Sequence, residues 1–247
     1  MTSKLVLAIV LLWISGCAST PHKAPHPADP WEKYNRAVFK FNDSLDRAIV
    51  KPVTRGYQKV APKMVETGVS NFFSNLSDVG NSVNNLLQGE PRKAGSDLVR
   101  FTLNSTFGLG GVIDVASSAG FEKHSEDFGQ TLAVWGVPSG PYVMLPFLGP
   151  SSIRDSGGYA VDLFTHYPWR YLNHEPTRYS LTAMSFIDLR SELLKLEDLL
   201  GTEFFDPYAS IRDAWLEYRI SQIANGEISS QQEDDALIED LEALESL

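Results

Sequence analysis

Several features are scarce or missing in this sequence, and each absence excludes a class of protein. Cys17 is the only cysteine, so no disulfide can form within the chain. No apolar run reaches the length of about 18 residues that a membrane span requires, which excludes a conventional transmembrane helix. The alternation typical of strands is nearly absent, whereas helical spacing of apolar residues is common, which predicts an all-α or mostly α-helical fold.

Motifs of catalysis and metal binding are also missing. The chain has no G-x-S-x-G nucleophile elbow and no G-x-x-x-x-G-K-[ST] phosphate loop. Its five histidines are scattered without the spacing of metal ligands. The sequence therefore predicts a protein that is not an enzyme and that needs neither a cofactor nor a metal.

The first sixteen residues carry the pattern of a secretion signal. Lys4 gives a positive start, residues 5–14 form an unbroken apolar run, and the small residues Ser15 and Gly16 follow. This order is typical of secretory signals, and the run is shorter than the roughly 20 residues of a membrane span. We therefore expect residues 1–16 to be removed from the mature protein.

Cys17 follows this signal in the sequence Ile14-Ser15-Gly16-Cys17, which is similar to the lipobox of bacterial lipoproteins. The resemblance implies that Cys17 is acylated and becomes the first residue of the mature chain. Asp after the cysteine would favour the inner membrane, but Ala18 stands there, which predicts an anchor on the periplasmic face of the outer membrane. Several acyl chains hold firmly, since each buried methylene contributes about 0.8 kcal/mol. The alternative is a stray buried thiol.

Charge is distributed unevenly along the chain, whose formal net charge is −10 at pH 7. Residues 31–66 contain eight basic and four acidic side chains, whereas the eight charged residues after Arg219 are all acidic. A basic front and an acidic end predict two different partners. The acidic balance and the expected compartment exclude nucleic acid as a partner.

The body of the protein is predicted to span residues 29–225, after a tether at residues 17–28 and before an acidic C-terminal helix or tail at residues 226–247. Asp29-Pro30 has the pattern of an N-cap followed by proline, and Lys51-Pro52 is expected to end the helix that it starts. The apolar stripe of this helix recurs at steps of three and four residues and consists of Trp31, Tyr34, Val38, Phe41, Leu45 and Ile49.

The opposite side of this helix carries four basic residues, Lys33, Arg36, Lys40 and Arg47. Aromatic and basic residues on opposite faces suit a helix that lies in a membrane interface. We therefore predict that these four side chains contact anionic lipid headgroups. The alternative is an ordinary surface helix that packs on a core and keeps its charges in water.

The rest of the body is also predicted to be helical. The stretch 65–86 places apolar residues at helical spacing opposite a face rich in Asn and Ser, which would suit a polar passage. Residues 137–150 contain four prolines and are expected to be irregular, neither a helix nor a central strand. Further helices are expected from Pro91 toward Asn104, after Ser125, after Ser151 or Ser152, from about Pro176 to Leu200, and from Asp206-Pro207.

Short motifs between residues 29 and 165 resemble the MlaA/VacJ family of outer-membrane lipoproteins, and they occur in the family's order. No single tetrapeptide is diagnostic, but the combination behind a lipobox is specific, and the last third of the chain has fewer landmarks. The motifs are Asp29-Pro30-Trp31-Glu32, Asn71-Phe72-Phe73-Ser74-Asn75-Leu76, Asn104-Ser105-Thr106-Phe107-Gly108, Asp127-Phe128-Gly129-Gln130-Thr131-Leu132, Gly140-Pro141-Tyr142, and Gly149-Pro150-Ser151 with Arg154-Asp155.

The resemblance implies a ring of amphipathic helices in the inner leaflet of the outer membrane, around a central amphipathic channel. It implies a protein that removes phospholipid from the outer leaflet, passes it to a periplasmic lipid-binding carrier, and associates with a trimeric porin. Five residues of the motifs are expected to line the channel, and the alternative is that they form internal caps and ion pairs. They are Asn104, Asp127, Gln130, Arg154 and Asp155.

Two other functions compete with lipid removal. The first is a structural lipoprotein that tethers a periplasmic partner complex, and segment 226–247 would serve it because that segment combines acidic residues with a leucine stripe. The second is a periplasmic hydrolase, which the missing nucleophile motif disfavours.

Overall fold

The computed structural model describes residues 26–200 and 205–224, which form a helical fold with one short β-hairpin. Cys17, most of the tether and the acidic segment 226–247 lie outside the described residues. The elements are α1 (Glu32–Leu45), a π-helical turn (Asp46–Val50), α2 (Lys51–Val60), α3 (Lys63–Leu87), α4 (Pro91–Thr106), α5 (Val115–Ser118), α6 (Phe128–Val134), β1 (Tyr142–Leu145), β2 (Gly149–Ser152), α7 (Ile153–Thr165), a 3₁₀ turn (Pro168–Tyr171), α8 (Glu175–Leu200) and α9 (Pro207–Ile223).

The sequence predicted that the first helical segment ends at Lys51-Pro52. The chain stays helical through this pair, so that prediction is wrong. A proline inside a helix lacks an N–H group, and its ring clashes with the carbonyl four residues earlier. The π-helical turn at Asp46–Val50 directly precedes it and widens the helix, so that Pro52 falls in the first turn of α2. The helical segment therefore continues to Val60.

Residues 137–150 contain an element that the sequence did not predict. Strands β1 and β2 form an antiparallel pair whose register joins Tyr142 to Ser152 and Leu145 to Gly149. Among the described residues the sheet has two strands, so Pro150 can lie in one of them without leaving an interior ladder bond unmade. The strands are four residues long, too short to show a period of two in a proline-rich segment.

Helix starts follow local capping chemistry in the later part of the chain. The Ser152 hydroxyl accepts the N–H of Asp155 and caps α7, and Asp206 caps α9, which confirms both predicted starts. Helix α6 is capped by Asp127 and not by Ser125, because the Asp127 carboxylate accepts the N–H of Gln130. Within the described residues, no helix combines the length and the apolar content needed to cross a membrane.

The apolar core is small and lies where the hairpin meets α1 and α9. It consists of the buried residues Tyr142, Met144 and Tyr208. The rings of Tyr142 and Tyr208 meet edge to face with centroids 6.4 Å apart. Partly buried neighbours complete this core, namely Val38, Phe39, Trp215 and Leu216.

Helices α6 and α7 touch through their backbones at two glycines. A Cβ placed on Gly158 would lie 2.7 Å from the Cα of Gly129 and would also overlap the Gly129 nitrogen. A Cβ on the adjacent Gly157 would meet no atom within 4 Å. Only glycine therefore fits at position 158.

We expect Gly158→Ala to destabilise the protein by about 1–3 kcal/mol, because backbone cannot move aside as a flexible side chain can. Gly157→Ala is the matched control and should be neutral or stabilise by up to about 1 kcal/mol through better helix propensity. Thermal unfolding in detergent micelles, followed by circular dichroism, measures both variants. Equal melting temperatures for the two would contradict the close contact of the helices.

Candidate functional site

Burial in this protein is inverted relative to that of a water-soluble domain. Among the described residues, buried polar and charged side chains outnumber buried apolar ones, and they include Asn35, Asn75 and Arg100. Large apolar side chains instead lie outside, with Met64 86 % exposed and Phe107 74 % exposed. Lys, Arg, Asp and Glu are almost never buried in water-soluble proteins unless they are paired, and large exposed apolar patches mark contacts with partners or lipid.

The apolar stripe of α1 and its continuation belong to this exterior. Trp31, Tyr34, Phe41 and Ile49 are each between 44 % and 56 % exposed. These four side chains do not pack on a core, as the alternative interpretation of this helix requires, whereas Val38 of the same stripe packs against the apolar core. The orientation of the stripe is the one expected for a helix in a membrane interface.

The four basic residues of α1 have different surroundings. Arg36 donates to both carboxylate oxygens of Asp206, at 3.0 and 2.7 Å, and also pairs with Glu32 at 2.7 Å. Its guanidinium thus joins α1 to the start of α9. Lys33, Lys40 and Arg47 are exposed, and Arg47 pairs with Asp43 at 2.9 Å. Headgroup contact by the set stays a prediction, and the three exposed residues are the ones free to make it without breaking an interhelical pair.

Asp29 does not cap a helix, although the sequence predicted that it would. Its carboxylate is fully buried and accepts hydrogen bonds from Asn35, at 2.7 Å, from the Tyr208 hydroxyl, and from Arg212, at 3.4 Å. A buried carboxylate needs such donors because burial without them is costly. Tyr208 and Arg212 lie 179 and 183 residues away in the chain, so no local pattern could identify them.

Four asparagines of the polar face of α3 are buried, and its role as a polar passage stays a prediction: they are Asn75, Asn81, Asn84 and Asn85. The side chains of Asn81 and Asn85 donate to the His124 carbonyl and to Asp97, each at 2.8 Å, and Thr131 donates to Asn84 at 2.9 Å. These hydrogen bonds satisfy part of the buried polar face, whereas the side-chain oxygens of Asn75 and Asn85 have no partner among the described residues.

A second polar cluster surrounds Arg100, which is 2 % exposed. Arg100 donates to Asp114 at 3.0 Å and lies 3.6 Å from Asp78. Burial raises the pKa of Asp78, against the lowering effect of Lys123, which also contacts it. Asn104 joins this cluster, since it donates to Asp114 at 3.1 Å and accepts the Ala116 N–H at 2.9 Å.

A third cluster is centred on Arg219 of α9. Its guanidinium donates to both oxygens of Asp127 and both oxygens of Asp155, at 2.5–3.1 Å. Burial raises the pKa of both carboxyl groups, but Arg219 together with Gln130 at Asp127 and Arg154 at Asp155 outweighs it and holds each pKa below its usual range. Gln130 and Arg154 complete this cluster. The Gln130 side chain donates to Asp127, and the Arg154 Nε donates to Asp155 at 2.9 Å.

The five residues predicted from motifs therefore separate into two groups. Asn104 belongs to the Arg100 cluster, and the other four belong to the Arg219 cluster. Their contacts are helix caps and ion pairs, as the alternative interpretation has it, and channel lining stays a prediction. Sequence reasoning missed Arg219 and Asp78, because the partners of each are brought close only by the fold.

The hairpin is fastened to α1 by Asn42. Its side-chain amide donates to the Leu145 carbonyl, and its oxygen accepts the Phe147 N–H, each at 2.9 Å. Phe147 has a φ of 67°, a backbone conformation that is unfavourable for a residue other than glycine. These two hydrogen bonds hold that turn.

We expect Asn42→Ala to speed hydrogen exchange at the Phe147 amide by about threefold to tenfold, since a hydrogen bond at such an exposed turn contributes about 0.5–1.5 kcal/mol. Asn71→Ala is the control, because Asn71 binds the Val112 carbonyl on another loop at 3.0 Å. Exchange at Phe147 that does not change in Asn42→Ala would show that the turn is held by other contacts.

An apolar cavity opens beside α3. Its volume is about 440 Å³, within the range of ligand pockets, and it lies between α3, α8 and the loop that follows α4. Its lining consists of Met64, Val65, Gly68, Val69, Phe72, Phe73, Val112, Leu181 and Met184. The polar clusters and this cavity thus occupy different parts of the molecule.

These features define a class of protein: a helical fold with polar side chains clustered inside and large apolar side chains exposed outside. The model of the MlaA lipoprotein family matches residues 27–222. The chain therefore belongs to the MlaA lipoprotein family.

Similar proteins include the intermembrane phospholipid transport system lipoprotein MlaA of Escherichia coli K12, which is 37 % identical over 97 % of each chain. The protein of the same name in Haemophilus influenzae is 30 % identical over 94 % of this chain and 96 % of its own length. A chain solved in work on the structural basis for maintenance of bacterial outer membrane lipid asymmetry is 34 % identical, with a TM-score of 0.66 over 79 % of this chain and 98 % of that chain.

Proposed function

We propose that this protein is an outer-membrane lipoprotein that removes misplaced phospholipid from the outer leaflet and passes it to a periplasmic lipid-binding carrier. The observation that carries the proposal is the inverted burial, with polar clusters inside an apolar exterior. The names of the relatives, which refer to intermembrane phospholipid transport and outer membrane lipid asymmetry, support the same function.

The geometry suits this task because a phospholipid has two ends with opposite requirements. Moving a polar headgroup through an apolar medium without hydrogen bonds costs about 2–7 kcal/mol per group, and a polar interior lowers that cost. The acyl chains need apolar surroundings instead, and the apolar exterior and the cavity beside α3 provide them. In this proposal the protein provides a path along which the lipid moves, and it needs no catalytic step and no cofactor.

The ends of the chain complete the proposal. Cys17 carries the acyl anchor, and residues 17–28 act as the tether to the helical body. The exposed apolar exterior is the surface that meets the inner leaflet and a trimeric porin. The acidic segment 226–247 is the surface offered to the periplasmic carrier, which would approach from the water side.

The test is to delete the gene and quantify phospholipid in the outer leaflet, in a strain that lacks a redundant removal route. The wild-type gene and the Cys17→Ala variant are then returned separately. We expect deletion to raise outer-leaflet phospholipid and only the acylatable form to reverse the rise. Phospholipid that stays at the wild-type level after deletion would refute the transport function and favour a tethering lipoprotein.

A further inference from the structure

Arg154 is a buried cation whose hydrogen bonding is incomplete. Its side chain is 5 % exposed, and its Nε donates to Asp155 at 2.9 Å. Its Nη2 is buried and has no hydrogen-bond partner within residues 26–200 and 205–224. An unpaired guanidinium donor is expensive to bury, so this arginine has a capacity for an acceptor that the described residues do not fill.

The neighbouring carboxylates do not reach this Nη2 and are held by Arg219 instead. All four oxygens of Asp127 and Asp155 already accept hydrogen bonds from Arg219. Asp127 also accepts the backbone N–H of Gln130 at 2.9 Å, which caps α6. Arg154 therefore shares one oxygen of a carboxylate that also pairs with Arg219, and its Nη2 is left for another acceptor.

We propose that Arg154 binds the phosphate of a phospholipid headgroup, an inference that rests on the proposed function. The planar guanidinium matches phosphate oxygens with two parallel donors, a geometry that lysine cannot reproduce. The two helices that carry Arg154 and Arg219 also have apolar side chains on their exposed faces: Ile153 of α7 is 48 % exposed and Tyr218 of α9 is 59 % exposed. These side chains would contact acyl chains and would contribute nothing to the binding of inorganic phosphate, which favours a lipid as the source.

The experiment is a titration of the full-length acylated protein in detergent, with three probes. Dihexanoyl phosphatidylglycerol supplies phosphate and acyl chains, dihexanoylglycerol supplies the acyl chains alone, and inorganic phosphate supplies the anion alone. We expect the first to bind at least about tenfold more tightly than either of the others, as charge-assisted hydrogen bonds require.

Variants assign the binding to Arg154. Arg154→Gln should weaken the phospholipid by about tenfold or more and leave dihexanoylglycerol unchanged, and Arg154→Lys should recover only part of the loss. Arg190→Gln is the matched control, since Arg190 is also largely buried but has its partners, Asp46 at 2.7 Å and Glu197 at 2.8 Å. It should bind phospholipid as the wild type does. If Arg154→Gln fails to fold, the comparison of Arg154→Lys with the wild type replaces it.

Three results would overturn the inference. The first is phospholipid binding that does not change in Arg154→Gln, or in Arg154→Lys where that variant replaces it. The others are binding of dihexanoylglycerol, or of inorganic phosphate, that is as tight as binding of the phospholipid. The gene deletion described above separates these failures from failure of the proposed function. A rise in outer-leaflet phospholipid on deletion, together with any of the three results, would keep the function and discard the role of Arg154.

Discussion

Replacing Arg219 with glutamine is expected to lower the free energy of unfolding by about 3–5 kcal/mol, the usual cost of removing one partner from a buried ion pair. The reason is that Asp127 and Asp155 would lose most of their donors at once. The cluster also joins α9 to the starts of α6 and α7, so its loss releases three elements. Chemical unfolding in detergent micelles measures the change.

The same variant has a pH signature with a definite sign. In the wild type, Arg219 holds the pKa of Asp127 and of Asp155 below their usual range, so the stability that these groups contribute is present above their unfolded pKa of about 3.9 and is lost as pH falls through the folded values. The stability gap between wild type and Arg219→Gln should therefore narrow in acid.

Arg178→Gln is the control for this prediction. Arg178 is 30 % exposed and lies 3.7 Å from Glu175, so its replacement should cost no more than about 1 kcal/mol. A stability gap for Arg219→Gln that stays constant between pH 7 and pH 3 would show that the two carboxylates do not depend on Arg219.

The second large effect concerns the apolar exterior. We expect the triple variant Tyr34→Gln, Ile49→Gln, Val53→Gln to bind phospholipid vesicles about 100-fold more weakly. The three side chains are 50–56 % exposed in the isolated protein. Full burial of such a side chain contributes about 1.5–3 kcal/mol, and burial of its exposed half in the membrane would contribute about half of that. The measurement is co-sedimentation with vesicles in a Cys17→Ala background, which removes the acyl anchor.

The matched control introduces the same three glutamines on the same two helices, as Ala37→Gln, Ala48→Gln and Gly56→Gln. These positions are exposed but carry little apolar surface, so vesicle binding should stay near that of the parent. Both triple variants should unfold in detergent at similar denaturant concentrations. Equal vesicle binding by the two would contradict a lipid-facing role for the apolar stripe.

Local chemistry made part of this fold predictable. The periodic stretch 65–86 corresponds to α3, and the caps Ser152 and Asp206 start helices where the sequence placed them, because a cap and its helix lie within a few residues of each other. The π-helical turn before Pro52 and the hairpin were not predictable from period or composition, since both depend on how neighbouring segments meet.

The candidate site was only partly predictable, for a different reason. A helical period shows that a helix has an apolar stripe but not whether that stripe is buried or exposed, and for α1 only the fold shows this. Motif residues such as Asp127 could be singled out, but its ion-pair partner Arg219 is 92 residues away. Pairing over such distances is set by tertiary structure and leaves no mark in the local sequence.

The polar interior has a thermal consequence. The heat capacity of unfolding rises with the apolar surface that becomes exposed and falls with the polar surface. Because this protein buries more polar side chains than apolar ones among its described residues, its heat-capacity change per residue should lie below the usual value of about 12–15 cal/mol/K. Calorimetry should therefore find a flat stability curve, so that the protein holds its fold with nearly constant strength from cold to warm surroundings.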